Sequence, residues 1–160
     1  MLSFRKAQLK DARLYFNWVN DPIVREQSYN SDLISFENHY HWFENKINDN
    51  SSVMLVFTNQ QNLFIGQIRI KKTTSNEAII GISIDSNHRG NGYAKEMLKK
   101  SSNYFLSHNP NFVISAFIKE TNVSSKHAFE KAGFNLNNIV IHENFKSFHY
   151  TKKINENWDT

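Results

Sequence analysis

Apolar residues recur along this chain at two spacings, and the switches between them mark the elements. Leu2 to Lys6 reads as a short strand. From Leu9 to Val19 the positions Ala12, Tyr15, Phe16 and Val19 fall three or four apart, the stripe of an amphipathic helix. Asn20-Asp21-Pro22 ends that helix, because the residue before a proline avoids helical backbone. Ser35 is expected to cap a second helix whose inner face carries Phe36, Tyr40, Phe43 and Ile47. After a loop at Asn48 to Ser51, Val53 to Thr58 and Leu63 to Lys71 read as strands joined by Asn59-Gln60-Gln61-Asn62, a hairpin. A turn at Lys72 to Asn76 leads into another strand, Glu77 to Asp85. A helix from Gly90 to Ser107 follows, with Ala94, Met97, Leu98, Ser101, Tyr104 and Phe105 inward and Lys95, Glu96, Lys99 and Lys100 toward water. Asn109-Pro110-Asn111 breaks it. Phe112 to Ile118 is a buried strand, and Asn122 to Ala132 a short helix stopped by Gly133. Leu136 to His142 and Phe145 to Lys153 close the chain as strands. The order β-α-α-β-β-β-α-β-α-β-β predicts one α/β domain over residues 1–160, a mixed sheet with helices on its faces.

Composition narrows the function classes. A chain of 160 residues is long enough for a core of its own. Nineteen Lys and Arg against fifteen Asp and Glu give a formal charge of +4, a modest excess that suits an anionic ligand or simply solubility. No basic run is long enough for a nucleic-acid stripe. The absence of cysteine excludes disulfides, thiolate catalysis and Cys-bound zinc. The N-terminus lacks the apolar core of a signal peptide, and no apolar run approaches the roughly 18 residues of a membrane span. The expectation is a cytoplasmic protein without membrane or nucleic-acid partners.

The chemistry gathers at Ile82-Ser83-Ile84-Asp85-Ser86-Asn87-His88-Arg89-Gly90-Asn91-Gly92-Tyr93-Ala94, where a strand ends, a glycine-bearing loop follows and a helix begins. Free N–H groups at such a helix start, with the helix dipole behind them, attract an anion such as phosphate. Gly90 and Gly92 let main chain approach the ligand. A dinucleotide site fits less well, because its glycines belong near a first βαβ unit, whereas these follow several strands.

Arg89, Gly92 and Ala94 fill the marked positions of the motif of the GNAT superfamily of N-acetyltransferases, which this stretch resembles. Asn122-Val123-Ser124-Ser125-Lys126-His127-Ala128-Phe129-Glu130-Lys131-Ala132-Gly133-Phe134 resembles a second motif of that superfamily, and the likeness in element order spans nearly the whole chain. The resemblance implies a mixed, mostly antiparallel central sheet flanked by helices on both faces. It also implies acetyl-CoA as cosubstrate and transfer of its acetyl group to a primary amine. On that basis Arg89, Gly90, Asn91, Gly92, Tyr93 and Ala94 would hold the pyrophosphate. The pantetheine arm would run along Ile82 to Ile84 like an added strand, with Asn122 bonding it from the other side.

Many relatives protonate the departing thiolate with a Tyr just before the Glu-Lys pair, and Phe129 stands there in this chain. Ser125, one turn beyond Asn122, is the substitute donor, although a helix-start Ser also serves as a simple cap. For the base, Glu77 and Ser83 share one strand face with Ile79, Gly81 and Asp85. Relatives of the ribosomal-protein type carry their Glu where Ile79 stands, so Glu77 is displaced by two, and proton loss through water is the alternative. His39-Tyr40-His41 and the other histidines lack ligand spacing, so no metal is expected.

For the acceptor, Trp-x-Asn-Asp-Pro at Trp18 to Pro22 and Ser-Phe-x-x-His-x-x-Trp-Phe at Ser35 to Phe43 resemble enzymes that N-acetylate nucleotide-activated amino sugars of the pseudaminic acid type. Trp18, Asn20, Arg25 and Trp42 are the expected substrate contacts: rings stack and Arg meets phosphate. A protein N-terminal acetyltransferase and a non-catalytic acyl-CoA-binding module are the other readings. The closing strand leaves a homodimer as a further expectation.

Overall fold

A computed structural model of the chain describes residues 1–154. Seven strands form one sheet: β1 (Ser3–Lys6), β2 (Ser52–Thr58), β3 (Phe64–Lys72), β4 (Glu77–Ile84), β5 (Val113–Lys119), β6 (Asn135–His142) and β7 (Phe145–Lys152), in the order β1-β2-β3-β4-β5-β7-β6. Every neighbouring pair is antiparallel except β4 and β5. Five helices accompany them: α1 (Ala12–Val19), α2 (Pro22–Gln27), α3 (Phe36–Ile47), α4 (Tyr93–His108) and α5 (Val123–Lys131).

The alternation of strand residues splits the interior in two. Leu55, Phe57, Ile68, Ile70, Ile80, Ile114, Ala116 and Ile118 meet Met97, Leu98 and Phe105 of α4 and Phe129 of α5 on one face. Met54 and Val56 meet Ala12, Tyr15 and Trp18 of α1 and Phe43 of α3 on the other. The helices thus lie on both faces, as the resemblance implied.

Two differences from the sequence reading bear on the site. Asn20 does end α1, but Pro22 opens a further helix, α2, whose start is capped by Asp21: its Oδ1 accepts from the N–H groups of Ile23 (3.0 Å) and Val24 (3.3 Å). Proline has no N–H to lose at a first helical turn, so the same residue stops one helix and begins the next. The long helix starts at Tyr93 rather than Gly90, because Gly90 and Gly92 have φ of +80° and +76° and cannot belong to it.

The end of α5 closes as its sequence suggests. Gly133, at φ +92°, donates to the Glu130 carbonyl, and Phe134 donates to the Phe129 carbonyl. Lys152 of β7 fixes this end against α4, donating to the Ala132 carbonyl (2.9 Å) and to Ser102 Oγ (2.8 Å). Burial, and Lys99 nearby, bring its ammonium down to about 8.

Candidate active site

The site arises from a fault in the sheet. β4 pairs with β3 along its whole length, from Lys72↔Ala78 to Gly66↔Ile84. It pairs with β5 only at Glu77, Ala78 and Ile79. Beyond Ile79 the two parallel strands part, and the main chain from Ile80 to Ile84 loses its ladder partner on that side. A cleft of about 1060 Å³ opens in the gap, lined by Ile82, Ser83 and Ile84 on one wall and by Phe117, Asn122 and Ser125 on the other. Backbone groups left unpaired there are available to a ligand lying as an extra strand.

At the end of β4 the loop makes a 3-10 turn, capped by Asp85, and then the two left-handed glycines. An atom placed where a Cβ would sit on Gly90 or Gly92 meets nothing within 4 Å, so both present bare main chain to the cleft. Gly90, Gly92, Tyr93 and Ala94 line it, as does Arg89. The Asn91 side chain instead folds back to the carbonyl of His88 (3.1 Å), holding the turn rather than the cleft wall. Arg89 has a second engagement: its Nη2 meets Asp21 Oδ1 at 2.9 Å, tying the glycine loop to α2. Partial burial pushes Asp21 up, but Arg89 and the two capped N–H groups outweigh it, and the carboxyl lies below its ordinary range.

Across the cleft, Asn122 caps α5 through Oδ1, which accepts from the Ser125 N–H at 3.3 Å. Its amide nitrogen has no hydrogen-bond partner among the described residues. Ser125 lines the cleft half-buried beside it. Phe129 also lines the cleft and packs edge-on against Phe134, with no hydroxyl to offer. Ser83 is 5 % exposed, and its Oγ accepts a hydrogen bond from Gln67 Nε2, which turns its own O–H elsewhere. Gln67 Oε1 is buried without a partner among the described residues.

Three further expected site residues are placed differently. Glu77 is exposed at the far end of β4 and lines no part of the cleft, because the strand carries it away from the end where β4 and β5 part. Trp18 is 4 % exposed, in the core beneath α1, where its Nε1 donates to Asp85 Oδ2 at 2.9 Å. It anchors the end of β4 and does not face the cleft. The Asn20 amide is spent at both ends on the backbone of Ile34, at 2.9 Å each, clasping the connection between α2 and α3.

Arg25 and Trp42 do line the cleft. Arg25 reaches it with most of its donors committed: Nε to the Val19 carbonyl (2.6 Å), Nη1 to the carbonyls of Asn30 and Asp32, Nη2 to Ser28 Oγ. It shapes the wall more than it offers bonds. His39 is buried against Phe16, Trp42 and Phe43 and bonds the Ala12 carbonyl at 3.1 Å. Burial lowers its affinity for a proton, so it packs as neutral imidazole. Among the described residues no group of three His, Asp or Glu is placed to hold a metal ion, and no helix is long and apolar enough to cross a membrane.

Sequence reasoning missed Arg69 and Lys119. Both line the cleft. Lys119 donates to the Glu26 carbonyl at the end of α2 and lies 3.8 Å over the Phe145 ring. Arg69 has no carboxylate within ion-pair distance among the described residues, and its Nε is buried unpartnered. Among the described residues no Asp or Glu lines the cleft, against Arg25, Arg69, Arg89, Lys95, Lys119 and Lys131.

Residues 1–135 match the family model described as acetyltransferase (GNAT) domain. No curated protein matches the sequence. Among solved structures, a spermidine N-acetyltransferase from Vibrio cholerae in complex with CoA and spermine superposes with a TM-score of 0.83 at 18% identity, covering 94% of this chain and 93% of that one. A dodecameric structure of the Vibrio cholerae enzyme in an intermediate state gives 0.79 at 20%, covering 95% and 93%. The aminoglycoside acetyltransferase AAC(6')-Ib in complex with coenzyme A and kanamycin gives 0.80 at 13%, covering 96% and 95%. At these identities the likeness is one of fold.

Proposed function

The chain belongs to the acetyltransferase (GNAT) domain family and is an acyltransferase, and from that premise we propose that it N-acetylates a nucleotide-activated amino sugar with acetyl-CoA. The cation-lined wall of the cleft, to which no carboxylate among the described residues contributes, carries this reading. Spermine and kanamycin, seen in the neighbours' structures, are polycations, and a wall of this charge repels a polycation. It suits an amine whose other end is anionic.

Acetyl-CoA supplies an acetyl thioester, whose carbonyl carbon forms the new bond to the amine nitrogen while the C–S bond breaks and CoA leaves as thiol. The N–H groups of the glycine loop and the start of α4 hold its pyrophosphate. The uncovered main chain of β4 and the free amide nitrogen of Asn122 align the arm, which fixes the thioester between Ser83 and Ser125. Ser83, its Oγ lone pair filled by Gln67, presents its O–H to the reacting centre. Ser125 passes its proton to the departing thiolate, the task Phe129 cannot perform, and regains one that the nitrogen sheds as the amide forms. Among the described residues no carboxylate lines the cleft to act as base, and none is required. Neighbouring guanidiniums disfavour the ammonium form of the acceptor, and its proton passes to water through the open mouth.

An acetyl-CoA consumption screen over nucleotide amino sugars, free amino sugars, spermidine, kanamycin and peptide N-termini tests the acceptor. The highest kcat/KM is expected for a nucleotide amino sugar; a higher value for a polycation or a peptide would sink the proposal. Ser125→Ala is expected to lower kcat by at least about a hundredfold, the low end of general acid–base contributions, with CoA affinity within about twofold of the parent. An unchanged kcat would remove Ser125 as the acid.

A further inference from the structure

Beside the cleft lies a second cavity of about 340 Å³, and the two share Trp42, Arg69, Ile80 and Gly81 as common wall. Lys46, near the end of α3, and Lys71, near the end of β3, line the second cavity with Arg69. Three cations therefore border one small space. Among the described residues the nearest carboxylate belongs to Asp49, 4.0 Å from Lys46 Nζ. Its other oxygen accepts from both the N–H and the hydroxyl of Ser51. No other Asp or Glu among the described residues is within ion-pair distance of Lys46, Arg69 or Lys71.

This arrangement is unfavourable as it stands. The Lys46 and Lys71 ammoniums crowd each other, and the proximity of Lys71 is the main reason Lys46 holds its proton less tightly than an ordinary lysine. Arg69 is desolvated, with its Nε unbonded. Its guanidinium stands 5.5 Å from the centre of the Trp42 ring. Buried donors without partners and like charges driven together are both relieved by one bound anion.

We propose that this second cavity is the subsite for the phosphoryl groups of the acceptor, with Arg69 clamping two phosphoryl oxygens at the shared wall and Lys46 and Lys71 neutralising the rest. The amine end then lies in the main cleft, and the Trp42 ring forms a flat flank between the two. The subsite rests on the reading of the acceptor as an anion-bearing amine and gives that anion a place.

The test uses inorganic pyrophosphate with protein already saturated by CoA, so that the glycine loop is filled. Calorimetric titration is expected to show binding that weakens about tenfold in Lys46→Met and in Lys71→Met, the scale for loss of one charge-assisted contact, and more in Arg69→Gln. CoA affinity is expected to stay at the parent value in all three. Absence of binding to the CoA-saturated parent, or equal binding by parent and both Lys variants, would overturn the subsite. A second measurement separates it from the functional reading. With a nucleotide amino sugar as substrate, Lys71→Met is expected to raise its KM about tenfold at constant kcat. Turnover of that substrate with KM unmoved defeats the subsite alone. No turnover of it, with Lys71-dependent pyrophosphate binding intact, defeats the functional reading and leaves the subsite standing.

Discussion

Gly66→Ala is expected to destabilise the protein by about 3 kcal/mol, the upper range for overpacking a well-filled interior. Gly66 sits in β3 opposite Ile84, and a Cβ on it would lie 2.4 Å from the Ser83 carbonyl oxygen and 3.1 Å from the Ile84 Cα. Both are backbone of the neighbouring strand and cannot rotate away. The Met97 methyl, at 3.0 Å, can move, but it is also fully buried. Relief therefore requires β4 to shift at the very segment that lines the cleft. For a chain of this length the loss corresponds to a fall in Tm of roughly 6 to 12 °C, with weaker acetyl-CoA binding alongside. Thermal unfolding with and without acetyl-CoA measures both, and a Tm within about 2 °C of the parent would show that the strands accommodate the methyl.

Gly92→Val is expected to act on the donor site with the fold left intact. Nothing lies within 4 Å of a Cβ at Gly92, so no protein atom clashes. The conflict is with φ of +76°, which a β-branched residue adopts at a cost of about 1–2 kcal/mol. The branched side chain would also stand where a phosphate approaches the N–H groups at the start of α4. Together these are expected to raise the KM for acetyl-CoA between about ten- and a hundredfold with kcat little changed. Gly92→Ala should fall between parent and Val. An unaltered KM in the Val variant would mean that the pyrophosphate is held elsewhere.

The glycine loop and the ends of α5 were legible in the sequence because they are local. Gly90, Gly92 and the helix after them act through their own φ angles and their own N–H groups, and Asn122 and Gly133 bound α5 through hydrogen bonds a few residues long. Pro22 shows the limit of even local signals: a proline that stops one helix serves equally as the first residue of the next. Recognising Asp21 as a cap would have found α2.

The acceptor half was less legible, and its errors share one cause. Arg69 and Gln67 occupy alternate positions in a strand whose other face carries Ile68 and Ile70, so they read as the solvent side. α1 and α3 cover that face, and Gln67 becomes fully buried while Arg69 becomes a wall of two cavities. Trp18 went the other way. It lies off the strongest apolar stripe of α1, yet Asp85, 67 residues along the chain, receives its N–H in the core. The Asn20 side chain, polar and beside a turn, is consumed by Ile34. Glu77 shares a strand face with Ser83, but a strand face is long, and only its far end borders the cleft.

By itself the sequence determined the seven strands, the glycine loop before the long helix and the missing hydroxyl at Phe129, because backbone conformation and side-chain chemistry are properties of short stretches of chain. The tertiary structure decided where β4 and β5 part, which polar groups α1 and α3 bury, and that Lys46, Arg69 and Lys71 border one cavity without a matching set of carboxylates. Those outcomes depend on which distant segments cover which faces, and periodicity along the chain does not encode what lies across it.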